Sequence, residues 1–198
     1  MRVLNLCHGK GNGVDKACLM TASNMLIGKG KHGDYNSCVC PILQRFIFRT
    51  NDRMPVELLG ELYGPLAWEI IGTRNDKRSV IEARVFKLVD WQIRVMLPKL
   101  LELLKDDRRE VLLSIAGVKD ADSAMAARDV IRAHFKKPAA AAAAVAAAAY
   151  AAYKAWQREY WSLFPQIIRE ISEIGDLRPK EVVPEIVLSE SDLVAALS

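Results

Sequence analysis

The sequence predicts an all-α protein, a compact multi-helix bundle of about eight helices that includes one long alanine-rich helix. Alanines dominate residues 139–153, and alanine is the best intrinsic helix former because its side chain loses no rotamer freedom on ordering. Elsewhere apolar residues recur every three or four positions, which is the spacing of one helix face. Prolines and glycines separate these stretches and leave little room for strands. Helices joined by short loops are therefore the predicted architecture.

The first 28 residues predict an extended arm followed by a helix. The arm, residues 1–14, contains a short apolar stretch that suits a strand and then the glycine-rich turn His8–Gly13. The helix begins at Asp15, whose side chain can cap it, and Gly28 follows its last turn.

Prolines mark the starts of the next three helices. Pro41 begins a helix that runs to about Thr50, since a proline in the first turn lacks only an N–H that would have no acceptor there. Two shorter helices follow over residues 55–63 and 65–72. In the first of the three, apolar side chains face inward and arginines face outward. The inward residues are Leu43, Phe46 and Ile47, and the outward ones are Arg45 and Arg49.

Longer helices are predicted in the second half of the chain. Prolines interrupt the first and the last of them, because a proline inside a helix removes a hydrogen bond and clashes with the preceding turn. Asp120 caps the third. These helices lie over residues 76–105, 109–116, 121–137 and 139–174, with the interrupting prolines at Pro98 and Pro165.

One domain is predicted over residues 1–176, and residues 177–198 form a proline-punctuated linker with a short terminal element. A chain of 198 residues that is 51% hydrophobic can bury a core without disulfides or metals. The N-terminus lacks the apolar run of a secretory signal, and charged residues follow the alanine block directly. We therefore expect a soluble, cytoplasmic protein with no membrane partner.

Charge is distributed unevenly along a chain whose formal net charge is +4. Residues 1–54 are basic, whereas the stretch from Glu170 onward is acidic. This asymmetry fits either an anionic partner for the basic part or two complementary parts that pack together. Dense basic runs of the kind that mark nucleic-acid binding do not occur in the sequence.

A cluster of cysteines and histidines near the N-terminus offers soft metal ligands. Cys7, His8, His32, Cys38 and Cys40 exceed the four ligands that tetrahedral zinc requires. Only Cys38 and Cys40 are closely spaced, whereas structural zinc sites use paired ligands two to four residues apart. Buried cysteines that simply pack in the core are the favoured interpretation. No cofactor is therefore expected, and a small zinc-binding protein is a second alternative.

Enzymatic chemistry finds little support in the sequence. The turn His8–Gly13 has the glycines of a phosphate-binding loop but lacks the Lys-Ser or Lys-Thr pair that should enter the following helix. The sequence shows neither a hydrolytic triad nor a distinctive pair of carboxylates. We therefore do not predict an enzyme.

An aromatic stripe follows the alanines and predicts a contact surface. Tyr150, Tyr153, Trp156 and Tyr160 lie at helical spacing, beside small residues that permit close approach of another helix. The leading hypothesis is a non-enzymatic helical module for protein-protein interaction or self-association through these four residues. A core seam against the earlier helices is the competing interpretation.

Basic residues on two predicted helices suggest a different partner. Arg45, Arg49, Arg84, Lys87 and Arg94 form the set that is predicted to bind nucleic acid or another anion as the first alternative. The last three share a helix with Trp91, which can stack on bases. The opposing interpretation has an ion pair between Asp90 and Arg94, with Trp91 at the edge of the core.

Several motifs, in their order along the chain, resemble those of a known group of proteins. These motifs are DKACLMTA, CVCP, the ND of RTNDRMP and the DWxxR of DWQIRVMLP. The chain thus resembles a family of alanine-rich helical proteins from bacteria and bacteriophages for which no activity is known. The resemblance covers most of residues 15–175. It implies a helical fold and a phage-associated protein that acts on a host or defence component, but no reaction or binding residue.

Overall fold

The computed structural model describes residues 5–9, 16–28, 35–135 and 157–176. Helices dominate these residues, so the predicted all-α class is confirmed. Within these ranges the only strands are two short ones. The elements in chain order are β1 Asn5–Leu6, β2 Lys16–Ala17, α1 Leu19–Leu26, α2 Pro41–Asn51, α3 Val56–Tyr63, α4 Leu66–Glu69, α5 Arg78–Trp91, a π-helical turn Gln92–Met96, α6 Leu97–Leu103, α7 Arg109–Leu113, α8 Ala121–His134, and α9 with its described part over 157–173.

The contacts divide the chain into two compact units. Unit 1 comprises Met1–Asp76 and Ile168–Ser198, and unit 2 comprises Lys77–Ile167. The single domain over residues 1–176 stays a prediction. The alanine block and the terminal segment 177–198 lie outside the described residues. None of the described helices is both long enough and apolar enough to cross a membrane.

In unit 1 a two-stranded parallel pairing precedes the first helix. β1 pairs with β2 in the register Asn5 to Lys16 and Leu6 to Ala17, which confirms a strand in the predicted arm. The predicted start of α1 is wrong. Because β2 occupies the residues after Asp15, the helix begins at Leu19, and its N-cap is Cys18.

The core of unit 1 lies where α1 contacts α2 and α4. α2 begins with Pro41 in its first turn, as the sequence predicts. Leu43, Phe46 and Ile47 are buried, also as predicted. Buried residues of this core include Leu19, Met20, Leu43, Phe46, Ile47, Leu59, Leu66 and Ile70.

Pro98 interrupts the long helix of unit 2, as predicted. The chain passes from α5 into the π-helical turn, where the N–H of Leu97 donates to the carbonyl of Gln92, five residues back. Pro98 follows as the second residue of α6. Because it has no N–H to donate to the preceding turn, a local departure from α-helical geometry is expected there. The interruption therefore takes the form of a widened turn within a continuous helical path.

Pro165 does not break α9, and that prediction is wrong. The helix runs without interruption from residue 157 to residue 173. A proline inside a helix costs about 3 kcal/mol, but burying one large apolar side chain contributes about 1.5–3 kcal/mol. Trp161, Phe164 and Ile167 are all buried around the proline. Their burial outweighs the lost hydrogen bond.

An aromatic cluster and an aliphatic cluster form the interior of unit 2. The rings of Trp91, Tyr160, Trp161 and Phe164 pack with centroids 4.7 to 5.3 Å apart. Such tilted and edge-on pairs add about 0.5–1.5 kcal/mol beyond the burial of their area. The aliphatic cluster consists of Ile93, Leu101, Leu112, Ile115, Val118 and Ala127.

α8 has the N-cap that the sequence predicts. Asp120 accepts from the backbone N–H of Ser123 at 2.8 Å, and the Ser123 hydroxyl group completes a capping box. The hydrogen bonds from the Ser123 hydroxyl and backbone lower the pKa of Asp120. The cap is thus fully formed above the ordinary pKa of an aspartate and weakens as the pH falls through the lowered value. α8 ends at His134, slightly before the predicted limit.

Asp90 is expected to hold the aliphatic cluster of unit 2 in place. Its Oδ1 accepts from the backbone N–H of the buried residue Val118 at 2.8 Å. Replacing Asp90 with alanine leaves that N–H without its acceptor, which costs about 1–3 kcal/mol of unfolding free energy. Asp90→Asn keeps an acceptor oxygen and should lose less. Urea unfolding monitored by tryptophan fluorescence measures both, and equal losses would contradict this assignment.

Candidate functional site

The N-terminal half of α2 carries a buried amide that fixes the preceding loop. Gln44 is 3% exposed. Its Nε2 donates to the carbonyls of Asn36 at 2.9 Å and Val39 at 2.8 Å, while its Oε1 accepts from the N–H of Asn36 at 3.1 Å. Every hydrogen bond here joins the side chain to backbone. The loop before α2 is therefore positioned by the helix itself.

Asn51, the last residue of α2, fixes the N-terminal segment in the same way. Asn51 is 2% exposed, and its Nδ2 donates to the carbonyl of Cys7 at 3.1 Å. Its Oδ1 accepts from the N–H of Leu19, the first residue of α1, in a long bond of 3.4 Å. One amide thus joins the end of β1, the start of α1 and the end of α2.

The residues just after α2 hold the beginning of the glycine-rich turn. Oδ1 of Asp52 accepts from the N–H of Gly9 at 3.1 Å and from Nδ2 of Asn51 at 3.3 Å. Nε2 of His8 lies 2.7 Å from the carbonyl oxygen of Met54. The Gly9 amide, which a phosphate-binding loop would direct at an anion, is directed at a protein carboxylate instead.

The outer face of α2 presents exposed arginines, and an exposed aspartate, Asp52, lies next to them in sequence. Arg45 and Arg49 are exposed and lie one turn apart, as the sequence predicts, and Arg53 is exposed one further turn along, just beyond the helix. Among the described residues, no carboxylate pairs with any of these guanidinium groups. We call Arg45, Arg49 and Arg53 the arginine stripe. The sequence interpretation missed Arg53, although its four-residue spacing from Arg49 was a visible signal.

The other predicted basic residues belong to unit 2 and do not form an exposed set. Arg84 is fully buried, so its prediction as part of an exposed basic face is wrong. It lies seven residues before the buried Trp91, and this spacing places both on the inward face of α5. Lys87 is partly buried. Arg94 is exposed and pairs with Asp90 at 3.7 Å, which confirms the predicted ion pair.

Of the predicted aromatic stripe, the structure describes only Tyr160. Its hydroxyl group donates to Sδ of Met96 at 3.7 Å, and its ring packs edge-on against Trp161 and Phe164. This residue is partly buried, and its contacts favour the core interpretation at that position. The three residues of the stripe that lie outside the described part are Tyr150, Tyr153 and Trp156.

The predicted zinc ligands are not assembled into a site in the part of the chain that the structure describes. No group of three or more His, Cys, Asp or Glu side chains there is placed to hold a metal ion. Cys40 is fully buried at the N-cap of α2, while Cys7 and Cys38 are partly buried. His8 is engaged with a backbone carbonyl. His32 lies outside the described residues, so a site that includes it stays a prediction.

Asn51→Leu is expected to destabilise unit 1. The change removes the acceptor for the N–H of Leu19 and the donor to the carbonyl of Cys7, and each unsatisfied buried group costs about 1–3 kcal/mol. A total loss of about 2–6 kcal/mol should appear as faster hydrogen exchange in α1 and α2. Arg45→Gln, an exposed change on the same helix, is the control and should shift stability by less than about 0.5 kcal/mol. Unchanged protection in Asn51→Leu would contradict the assigned role.

No family model, curated protein or solved structure matches this chain. Its function is therefore inferred from its own side chains.

Proposed function

We propose that this protein is a non-enzymatic interaction module that binds an acidic segment of a partner protein through the arginine stripe of unit 1. The observation that supports this proposal is the exposure of Arg45, Arg49 and Arg53 without an ion pair to any described carboxylate. Arginine suits this role because its planar guanidinium group matches a carboxylate with two parallel hydrogen bonds.

The stripe is not explained by the stability of α2 alone. Like charges four residues apart weaken a helix by about 0.2–0.5 kcal/mol per pair. Arg49 lies in the last turn, where a cation interacts favourably with the helix dipole by about 0.3–1 kcal/mol. Arg45 is one turn earlier and gains little from the dipole. An anionic partner offsets the repulsion between the arginines.

The scaffold beneath the stripe is suited to recognition. Arg45 and Arg49 project from α2, and Arg53 projects from the turn after it, where its N–H donates to the carbonyl of Thr50. This backbone does not need to order on binding. Four helical residues rise about 6 Å, so Arg45 and Arg49 lie about 6 Å apart along α2. Carboxylates two residues apart in an extended peptide are about 6.6 Å apart, which matches the interval between arginines.

The aromatic residues Tyr150, Tyr153 and Trp156 remain a second proposed contact of the same module, supported by the sequence alone. The resemblance to phage-associated proteins makes a host or defence protein a suitable partner for both contacts. A nucleic acid is the alternative ligand for the stripe. Three phosphate contacts predict a slope of log affinity against log salt of about −2 to −3 for this alternative, and a direct comparison of the two ligands' affinities separates it from protein binding.

Neutralising the stripe is expected to weaken binding of an acidic peptide. Fluorescence anisotropy with a labelled polyglutamate peptide should show about tenfold weaker binding for Arg45→Gln, Arg49→Gln and Arg53→Gln combined, because exposed ion pairs contribute about 0.2–1 kcal/mol each.

The matched control is the combination of Arg78→Gln, Arg128→Gln and Arg132→Gln, which removes the same charge from exposed positions of unit 2. Equal weakening in both variants would show that only net charge matters and would contradict the proposal. Tighter binding of a labelled single-stranded oligonucleotide than of polyglutamate, lost in the stripe variant, would replace the protein partner with a nucleic acid.

A further inference from the structure

The end of the chain carries the charge that the arginine stripe lacks. Residues 181–198 contain Glu181, Glu185, Glu190 and Asp192 and no lysine or arginine. Between these acidic residues lie three valines, an isoleucine, a leucine, a proline and two serines, and the apolar stretch 193–197 follows Asp192. In composition this segment is thus the kind of acidic peptide that the stripe is proposed to bind.

The described chain ends close to the segment that leads into α2. The carbonyl of Gly175 accepts from Nδ2 of Asn75 at 2.9 Å. Two residues before Asn75, Oγ1 of Thr73 accepts from the N–H of Cys40 at 3.1 Å, and Cys40 is the N-cap of α2. These two hydrogen bonds within unit 1 connect the last described residues, through residues 73–75, to the N-cap of the helix that carries the stripe.

The remaining chain is long enough to reach the whole stripe. An extended chain spans at most about 3.3–3.6 Å per residue, so Glu181 lies within roughly 18 Å of Asp176 and Asp192 within roughly 55 Å. α2, with 11 residues, is only about 16 Å long. Even a path around the helix leaves enough residues for Glu190 and Asp192 to meet the arginines.

We propose that residues 181–198 bind in cis to Arg45, Arg49 and Arg53 and thereby compete with the acidic partner. This inference rests on the proposed function, because it assigns a second occupant to the same surface. A tether of this length gives an effective concentration in the millimolar range. A few exposed ion pairs that would be too weak between separate molecules therefore suffice within one chain.

Zero-length crosslinking tests the contact directly and needs no partner. In the full chain with Arg45→Lys, Arg49→Lys and Arg53→Lys, a water-soluble carbodiimide should join a carboxylate of residues 181–198 to one of the new amines, as identified by mass spectrometry. The control with Arg45→Gln, Arg49→Gln and Arg53→Gln should give no such product. The described pair of Lys99 and Glu159, with 2.6 Å between Nζ and Oε1, reports that the reagent has worked.

Two results would overturn the cis contact. One is efficient crosslinking of Lys99 to Glu159 with no product that joins residues 181–198 to the stripe. The other is a product formed between isotopically labelled and unlabelled chains in a mixture, which would show that the segment binds a second copy.

Competition is tested by neutralising the acidic segment. The full chain with Glu181→Gln, Glu185→Gln, Glu190→Gln and Asp192→Asn should bind labelled polyglutamate about tenfold more tightly than the natural chain, if a millimolar effective concentration acts on a contact of about 100 μM affinity. Unchanged affinity would overturn the competition. Polyglutamate that binds neither chain, together with the cis crosslink, would instead sink the proposed partner binding and leave the intramolecular contact standing.

Discussion

Unit 1 depends on the buried amide of Asn51. Its donor and acceptor join the end of β1 to the start of α1, while its backbone ends α2. An amide removed from water without partners costs several times what a satisfied hydrogen bond contributes, so only an arrangement that supplies both partners is stable. Gln44 imposes the same condition on the loop before α2. Buried apolar side chains stabilise the unit, and these two amides fix the conformation of its loops.

The same network of polar groups includes the carboxylate next to the arginine stripe. Asp52 is the carboxylate nearest in sequence to Arg49 and Arg53, and it accepts hydrogen bonds from the Gly9 N–H and the Asn51 amide. The Asp52 side chain is held in this position, because moving away would leave the Gly9 N–H without its only described acceptor. Asp52 thus fixes the N-terminal segment through its Oδ1, and no ion pair with the neighbouring arginines is formed in the part of the chain that the structure describes.

Features that depend on neighbouring residues in sequence were predictable, and features that depend on tertiary packing were not. The proline at the start of α2 and the capping box at Asp120 follow from local backbone chemistry. Pro165 and Arg84 violate local rules, because burial of surrounding side chains overrides helix propensity and hydrophobic periodicity cannot reveal a buried cation. The roles of Asn51 and Gln44 were invisible, since their partners are backbone groups of loops. Arg45 and Arg49 were found because they lie opposite an apolar face.

A partner needs more than charge to bind the arginine stripe tightly. Exposed ion pairs are screened within about 8 Å at physiological ionic strength, so three arginines give little affinity between separate molecules. If the chain's own acidic segment occupies them, a partner must bind more tightly than this tethered segment. Charge alone does not provide that affinity. Apolar contacts have to supply the difference, and the half-exposed Val56, three residues beyond Arg53, is available for them. Competition within the chain would then exclude ordinary acidic proteins and favour a partner that combines carboxylates with apolar side chains.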